Sequence, residues 1–146
     1  MADVYLGLGS NLGDREAVIR KAVEMLDEGL GVAHSRMSSM FGSASWGFEG
    51  NDFLNCAVLY RTDVDPYALL DLCKEIETRL GRVQNVEYDA GGRRVYHDRP
   101  IDIDILLYGD ERISSPRLTV PHPLMRQRDF VMVPLMEIYE GKDLKQ

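Results

Sequence analysis

Along residues 4–9, "VYLGLG", apolar side chains recur at every second position, the period of a half-buried strand. The "SNLGD" that follows reads as a turn, with Asp14 placed to cap a helix. From residue 15 the period lengthens: Val18, Ala22, Met25 and Leu26 form one helical stripe that ends at Gly29 or Gly31. Residues 33–45 give a weakly apolar alternating strand with serine-rich edges, and "WGFEGND" a loop. "FLNCAVLYR" is a clear strand. Phe53, Asn55, Ala57 and Leu59 share one face, and Leu54, Cys56, Val58 and Tyr60 the other. Asp65 then Pro66 starts a second helix, a capping residue followed by proline at the first helical position. Its buried stripe is Leu69, Leu70, Cys73, Ile76 and Leu80, and Gly81 closes it.

The next stretch, "RVQNVEYDAGGRRVYHD", is polar, carries a Gly-Gly pair and is too long for a simple connector. It reads as a loop over residues 82–98, with the glycine pair as the hinge of a lid. A strand over residues 101–108 follows, then "GDERISS" as a turn, the proline-rich "VPHPLM" and a short amphipathic segment, "FVMVPLMEIY". The order is β-α-β-β-α-β with a C-terminal extension. It predicts an α+β chain of ferredoxin-like type: an antiparallel sheet with both helices on one face, in one domain over residues 1–146. The other sheet face, or its edge, is left for a site covered by long loops.

The strand at 101–108 raises a chemical question. Asp102 and Asp104 are threaded into an apolar run, and residues two apart stand on one face, ~6.5–7 Å apart. Two bare carboxylates there repel and raise each other's pKa, so a cation belongs between them. Hard divalent cations take carboxylate oxygens, and Mg²⁺ uses one or two of them with phosphate oxygens and water. Carboxylates so spaced can also hold a metal pair for phosphoryl chemistry.

Charge sharpens this. The net charge of −7 argues against general nucleic-acid binding, but nine of the thirteen arginines fall within residues 79–128, a span without lysine that is locally +2. Arginine without lysine suits planar, bidentate recognition of phosphate or carboxylate. Mg²⁺ beside such a span makes a site for a nucleoside triphosphate. His122, held between Pro121 and Pro123, is a further candidate for phosphate, whereas His34 and His97 read as surface residues. Glu77 reads as a helix residue facing Arg82. Trp46, Phe48, Phe53 and Phe130 are either core or the two sides of a sandwich around a flat heterocycle.

"GLGSNLG" is one residue too long for a dinucleotide fingerprint and lacks the G-K-[ST] of a P-loop, so its glycines read as serving a tight strand-to-helix turn. Cys56 and Cys73 have no C-x-x-C spacing and read as core residues in a reducing compartment, which predicts a cytoplasmic protein. No apolar run approaches the ~20 residues of a membrane helix. A monomer or weak homodimer is expected, with no nucleic-acid or membrane partner.

In chain order, "LGLGSNLGD", "DFLNCAV", "IETRLGR", "DRPIDIDILLYG" and "RLTVPHPLMRQRDFVMVPLMEI" resemble the 6-hydroxymethyl-7,8-dihydropterin pyrophosphokinases of folate biosynthesis, over essentially the whole chain. The resemblance implies a ferredoxin-like fold and transfer of the β,γ-pyrophosphate of ATP to the pterin hydroxymethyl oxygen, releasing AMP, with two Mg²⁺ ions. It implies that Asp102 and Asp104 hold both ions, and that Arg82 and Arg99 grip the ATP phosphates and stabilise the transition state. Arg117, Thr119 and His122 match the nucleotide-binding segment, with Lys74 and Glu77 near the ribose, Ile105 against adenine and Arg128 between the substrates. Asn55, Phe53 and Phe130 match the pterin site, Asn55 by hydrogen bonds and Phe130 by stacking.

Departures from the family pattern fall in three places. "SASWGFEG" replaces a Thr-Pro-rich segment, which leaves Ser43 and Trp46 for that side of the pterin pocket. The loop after Arg82 is longer, so a second loop arginine and a tryptophan have no single counterpart among Gln84, Arg93, Arg94 and Tyr96. "HDRPID" makes Arg99 the match for the arginine before the aspartates. Two other classes fit parts of the pattern. A metal-dependent nuclease or phosphohydrolase needs a general base beside Asp102, and none is evident. A non-catalytic regulatory domain explains the strands but not an arginine-rich stretch facing an acidic pair.

Overall fold

The computed structural model describes residues 1–43, 52–81, 90–91 and 100–141, and the backbone of 87–88 and 94–95. In chain order the elements are β1 (Ala2–Ser10), α1 (Arg15–Leu30), β2 (Arg36–Met37), β3 (Phe41–Ser43), β4 (Phe53–Thr62), α2 (Pro66–Arg79), β5 (Glu87–Tyr88) and β6 (Arg94–Val95). Then come β7 (Asp102–Tyr108), β8 (Ile113–Ser114), β9 (Thr119–Val120), a 3₁₀ turn (Met125–Gln127) and α3 (Asp129–Ile138). The main sheet is antiparallel. β1 lies between β4 and β7, and β2 and β3 pair with the far side of β4.

The starts of α1 and α2 follow from their caps. The Asp14 carboxylate accepts from the Ala17 amide, and Asp65 accepts from those of Tyr67 and Ala68 with Pro66 first in the helix. Gly31 and Gly81 take the left-handed conformation after α1 and α2. Gly29 lies inside α1, where a Cβ would stand 2.7 Å from the Leu72 Cδ1, so its absence lets the two helices approach. The α1 stripe is rotated slightly from the expected one: Ile19, Ala22, Val23 and Leu26 are buried, and Val18 and Met25 flank them.

Alternation along the strands makes two cores. On one face Val4, Leu6, Leu8, Val58, Tyr60, Ile103 and Ile105 pack under α1 and α2. On the other, Tyr5, Ala57, Leu59, Leu106 and Leu107 pack under Val131, Leu135 and Ile138 of α3. The amphipathic C-terminal segment is therefore a helix that covers part of the face expected to be open. Its end is fastened where the Glu140 amide donates to the Tyr5 hydroxyl at 3.0 Å.

Other connections also carry more structure than the pattern predicts. Residues 33–45 form two short strands rather than one. Between them Ser38 enters the ladder with its side chain: its Oγ accepts from the Ala57 amide at 2.8 Å, while its own amide donates to the Ala57 carbonyl. The 82–98 loop contains the β5–β6 pair, with Gly91 in the turn between the strands, and "GDERISS" supplies β8 of a second hairpin. Gly7 and Gly9 are not turn residues. They lie within β1, and only Gly13, with φ of 71°, takes a turn conformation.

The Ser38 contact is testable. Ser38→Ala leaves the buried Ala57 amide without its acceptor and is expected to cost about 1–3 kcal/mol in urea unfolding. A loss below about 0.5 kcal/mol would show that water replaces the hydroxyl.

Candidate functional site

The part of the second face that α3 leaves uncovered is where the acidic pair stands. Ile101, Ile103 and Ile105 are drawn into the helix-side core, so Asp102 and Asp104 must point the other way, and both are half-buried. The strand register then sets their neighbours. Asp102 lies opposite Gly9, which lies opposite Asn55, which in turn lies opposite Phe41. Asp104 lies opposite Gly7, and Gly7 opposite Ala57. Neighbouring strands are ~4.8 Å apart, so Asn55 and Asp102 face each other across ~10 Å of floor on which Gly9 has no side chain. A Cβ on Gly9 would come 3.0 Å from the Asn55 Oδ1, and one on Gly7 3.3 Å from Leu106.

β7 is held from its outer edge. The Ile103 amide, between the two aspartates, donates to the Glu77 Oε2 at 2.8 Å, and Glu77 is only 4% exposed. Farther along, the register shifts by one residue opposite Tyr5 and Leu6, and Leu106 and Leu107 both join the α3-side core. The Leu106 carbonyl accepts from the His122 amide at 3.0 Å, which ties the proline-rich segment to β7 beside the carboxylates.

His122 Nδ1 accepts from the Leu124 amide at 3.3 Å, so in the neutral ring the proton resides on Nε2. Burial, then the Arg128 charge, lower its pKa from the ordinary histidine value, and Asp102 opposes them. The same three groups are thus within electrostatic reach of one another. The Arg128 guanidinium lies 5.6 Å over the Phe130 ring at the start of α3. On the far side Asn55 Nδ2 donates to the Phe41 carbonyl and to the Ser43 Oγ, and Ser43 is paired in register with Phe53.

The structure thus gathers Asp102, Asp104, His122, Arg128 and Phe130 at one end of the uncovered face, with Asn55, Ser43 and Phe53 across Gly9. Other candidates stand apart. Arg117 is exposed, pairs with Asp71 and lies 5.6 Å over the Tyr67 ring. Thr119 is exposed in β9, and Lys74 is exposed on α2. The Ile105 side chain is buried in the helix-side core, on the face opposite the carboxylates. His34, expected on the surface, is half-buried, with Nδ1 3.1 Å from the Asp27 carboxylate. Arg82, Arg99, Trp46, Phe48, Gln84, Arg93, Tyr96 and His97 lie outside the described residues, as does the side chain of Arg94.

The donor set fits a hard cation. Among the described residues no group of three His, Cys, Asp or Glu forms, so Asp102 and Asp104 offer two carboxylates and leave the remaining positions to ligand oxygens or water. Two features of the site escaped the pattern reading. Gly7 and Gly9 share the i, i+2 spacing of the aspartates they face, and that match was the available signal. Glu77 as the anchor of β7 had none.

The sequence profile of the 7,8-dihydro-6-hydroxymethylpterin-pyrophosphokinase (HPPK) family matches residues 5–140. The chain belongs to this family. Curated HPPK relatives include the 2-amino-4-hydroxy-6-hydroxymethyldihydropteridine pyrophosphokinases of Porphyromonas gingivalis and Aquifex aeolicus. The first is 46% identical over 94% of this chain and 91% of its own, the second 44% identical over 94% and 81%. The Bacillus subtilis protein of the same name is 41% identical over 92% of this chain and 76% of its own. A crystal structure of an HPPK-DHPS in complex with substrates aligns with a TM-score of 0.68 over 94% of this chain at 14% identity, and shares its fold. This HPPK chain spans 40% of that longer one.

His122 offers a direct check on the electrostatics. In the metal-free protein its NMR titration midpoint is expected below 6.5, the ordinary histidine value. Asp102→Asn should lower it further, because the Asp102 charge raises it. The folded chain binds this proton less readily than the unfolded one, so the contribution to stability is complete above about pH 6.5 and falls as the pH drops. A midpoint that rises in the Asp102→Asn variant would remove His122 from the carboxylate's vicinity.

Proposed function

We propose that this chain transfers the pyrophosphoryl group of ATP to 6-hydroxymethyl-7,8-dihydropterin, giving the pterin diphosphate and AMP, in folate synthesis. The observation that carries the reading is the row Asn55–Gly9–Asp102: a hydrogen-bonding residue for a flat heterocycle and a carboxylate pair for phosphates stand at opposite ends of one glycine floor. Membership of the HPPK family and the names of its relatives support the same reaction.

In this reading Asn55, Ser43, Phe53 and Phe130, with Trp46, bind the pterin and aim its hydroxymethyl arm along the floor. The hydroxyl oxygen attacks the β-phosphorus of ATP, the bond to the α,β-bridging oxygen breaks, AMP leaves and the hydroxyl proton passes to solvent. Asp102 and Asp104 hold Mg²⁺, two ions by family analogy, and when bound these supply charge neutralisation of the phosphates. His122, its pKa lowered by burial and by Arg128 and its Nδ1 engaged by the Leu124 amide, donates Nε2–H to a phosphate oxygen. Arg128 bridges the two substrates, and Arg82 and Arg99 close on the transferring group.

Glu77 acts from beneath, keeping β7 in place. Ile105, its side chain buried, offers adenine the backbone on the outer edge of β7, while Arg117, Thr119 and Lys74 line the approach of the nucleotide. We further propose that the three long strands, the short β2 and β3 and the first two helices form a ferredoxin-like arrangement, and that the protein works in the cytoplasm.

The test is mass spectrometry of products from ATP, Mg²⁺ and 6-hydroxymethyl-7,8-dihydropterin. AMP and pterin diphosphate are expected, and ADP or free phosphate alone would overturn the reading. Asp102→Ala is expected to lower turnover by at least about 100-fold, the scale of losing one preorganised charge-stabilising group. The metal-free variant is expected to keep a cooperative melting transition, which separates a lost metal site from a lost fold. Near-normal turnover by that variant would displace the metal from this pair.

A further inference from the structure

The segment that edges β4 changes its side-chain phase partway along. Met37 lies opposite Val58 and Phe41 opposite Asn55, so four steps on this segment match three on β4. One residue is extra, which makes a β-bulge. Ser38 still pairs with Ala57 through its amide and its hydroxyl, so the two-for-one step falls at Ser39 and Met40, opposite Cys56. Met37 and Met40 accordingly both pack on the helix side. Unbroken alternation from Met37 would turn Phe41 and Ser43 to that side too. With the bulge they share the face of Asn55 and Phe53.

A bulge takes a backbone group out of the ladder. Here it is the Ser39 amide, and α3 meets it. Glu137 Oε1 accepts from that amide at 2.9 Å, and Oε2 accepts from the Ser39 hydroxyl at 2.8 Å. The amide first, then the hydroxyl, hold the Glu137 carboxyl below its ordinary pKa, so it is ionised at neutral pH. The end of α3 has other fastenings that do not involve Ser39. Arg36 and Arg61 pair with Glu140, and the Glu140 amide donates to the Tyr5 hydroxyl. Both oxygens of Glu137 thus serve the bulge, in a helix already held by its neighbours.

We propose that Glu137 is a positioning residue for the pterin: by pinning the bulge at Ser39 it sets the phase of β3, so that Phe41 and Ser43 face the glycine floor. The proposal rests on the pterin reading above and adds a residue in the last turn of α3 that acts through β3 and not on the substrate. Glutamine at this position can still accept from the Ser39 amide and should keep the phase. Alanine cannot.

Hydrogen–deuterium exchange of the ligand-free protein reads the pin directly. Glu137→Ala should speed exchange over residues 39–43, whereas Glu140→Ala, which loosens the helix end alone, should not. By calorimetry with 6-hydroxymethyl-7,8-dihydropterin, Glu137→Ala is expected to weaken binding about fivefold, the scale of one net hydrogen bond. ATP affinity should stay within about twofold, as for an independent site. Glu137→Gln should recover most of the loss, and Glu140→Ala should bind the pterin as the parent does. Unchanged pterin affinity in Glu137→Ala overturns the proposal, because water then serves the bulge. So does an equal loss in Glu140→Ala, because the hold on the helix then accounts for the effect. If Glu137→Ala speeds exchange over 39–43 but the parent makes no pterin diphosphate, the proposed reaction falls and the pin on β3 stands. If the parent turns over and Glu137→Ala exchanges as the parent does, the pin alone falls.

Discussion

The hydrogen bond from the Ile103 amide to the buried Glu77 carboxylate is the contact on which the arrangement of the site depends. Among the described strands β7 pairs only with β1, so its outer backbone groups need partners from elsewhere. Glu77 supplies one between the two aspartates, and the amide of His122 binds the Leu106 carbonyl farther along. With the strand clamped at both points and its isoleucines sunk between the helices, the backbone alone turns the carboxylates toward the second face. Glu77 is buried, so its bond to the strand edge is made away from water.

The two faces of the sheet divide the work. Helices α1 and α2 cover one face, and α2 reaches the edge of the site through Glu77. α3 covers only part of the other, and its start brings Arg128 and Phe130 to the rim of what remains open. Extending the cover would need side chains on Gly7 and Gly9, and contacts of 3.0–3.3 Å stand in their way. The gap is thus a property of β1 itself, maintained by the absence of two methyl groups.

How much of this the amino-acid pattern discloses depends on the range of the interaction. Caps, turns and alternation are local, so Asp14, Asp65, Gly81 and the faces of β4 and β7 are legible directly. The aspartate pair is legible too, because charge within an apolar run is anomalous wherever it occurs. What escapes is settled between distant segments. Ser38 completes a ladder with Ala57, Gly9 owes its meaning to Asn55 and Asp102, and Glu77 to a strand edge 26 residues away. Pro134 disguises α3, since a proline inside a helix removes one backbone hydrogen bond. Packing on Tyr5, Ala57, Leu59, Leu106 and Leu107, and the bonds of Ser39 to Glu137, offset that loss.

The pairing of β1 with β7 has a consequence for the order in which the chain folds. β1 can join β4 once the first half of the chain exists, but its other edge waits for residues 102–108. Closing the longer loop adds little free energy, about 0.6 kcal/mol per doubling of length. It adds delay, because contacts so distant in sequence form late. A chain in which β1 has only β4 beside it leaves one row of its backbone groups unpaired and Leu6 and Leu8 incompletely covered, the kind of edge at which chains generally associate wrongly. The strand that ends it is also the one that carries the aspartates, so the last long strand to dock on the sheet delivers the charges that a metal needs.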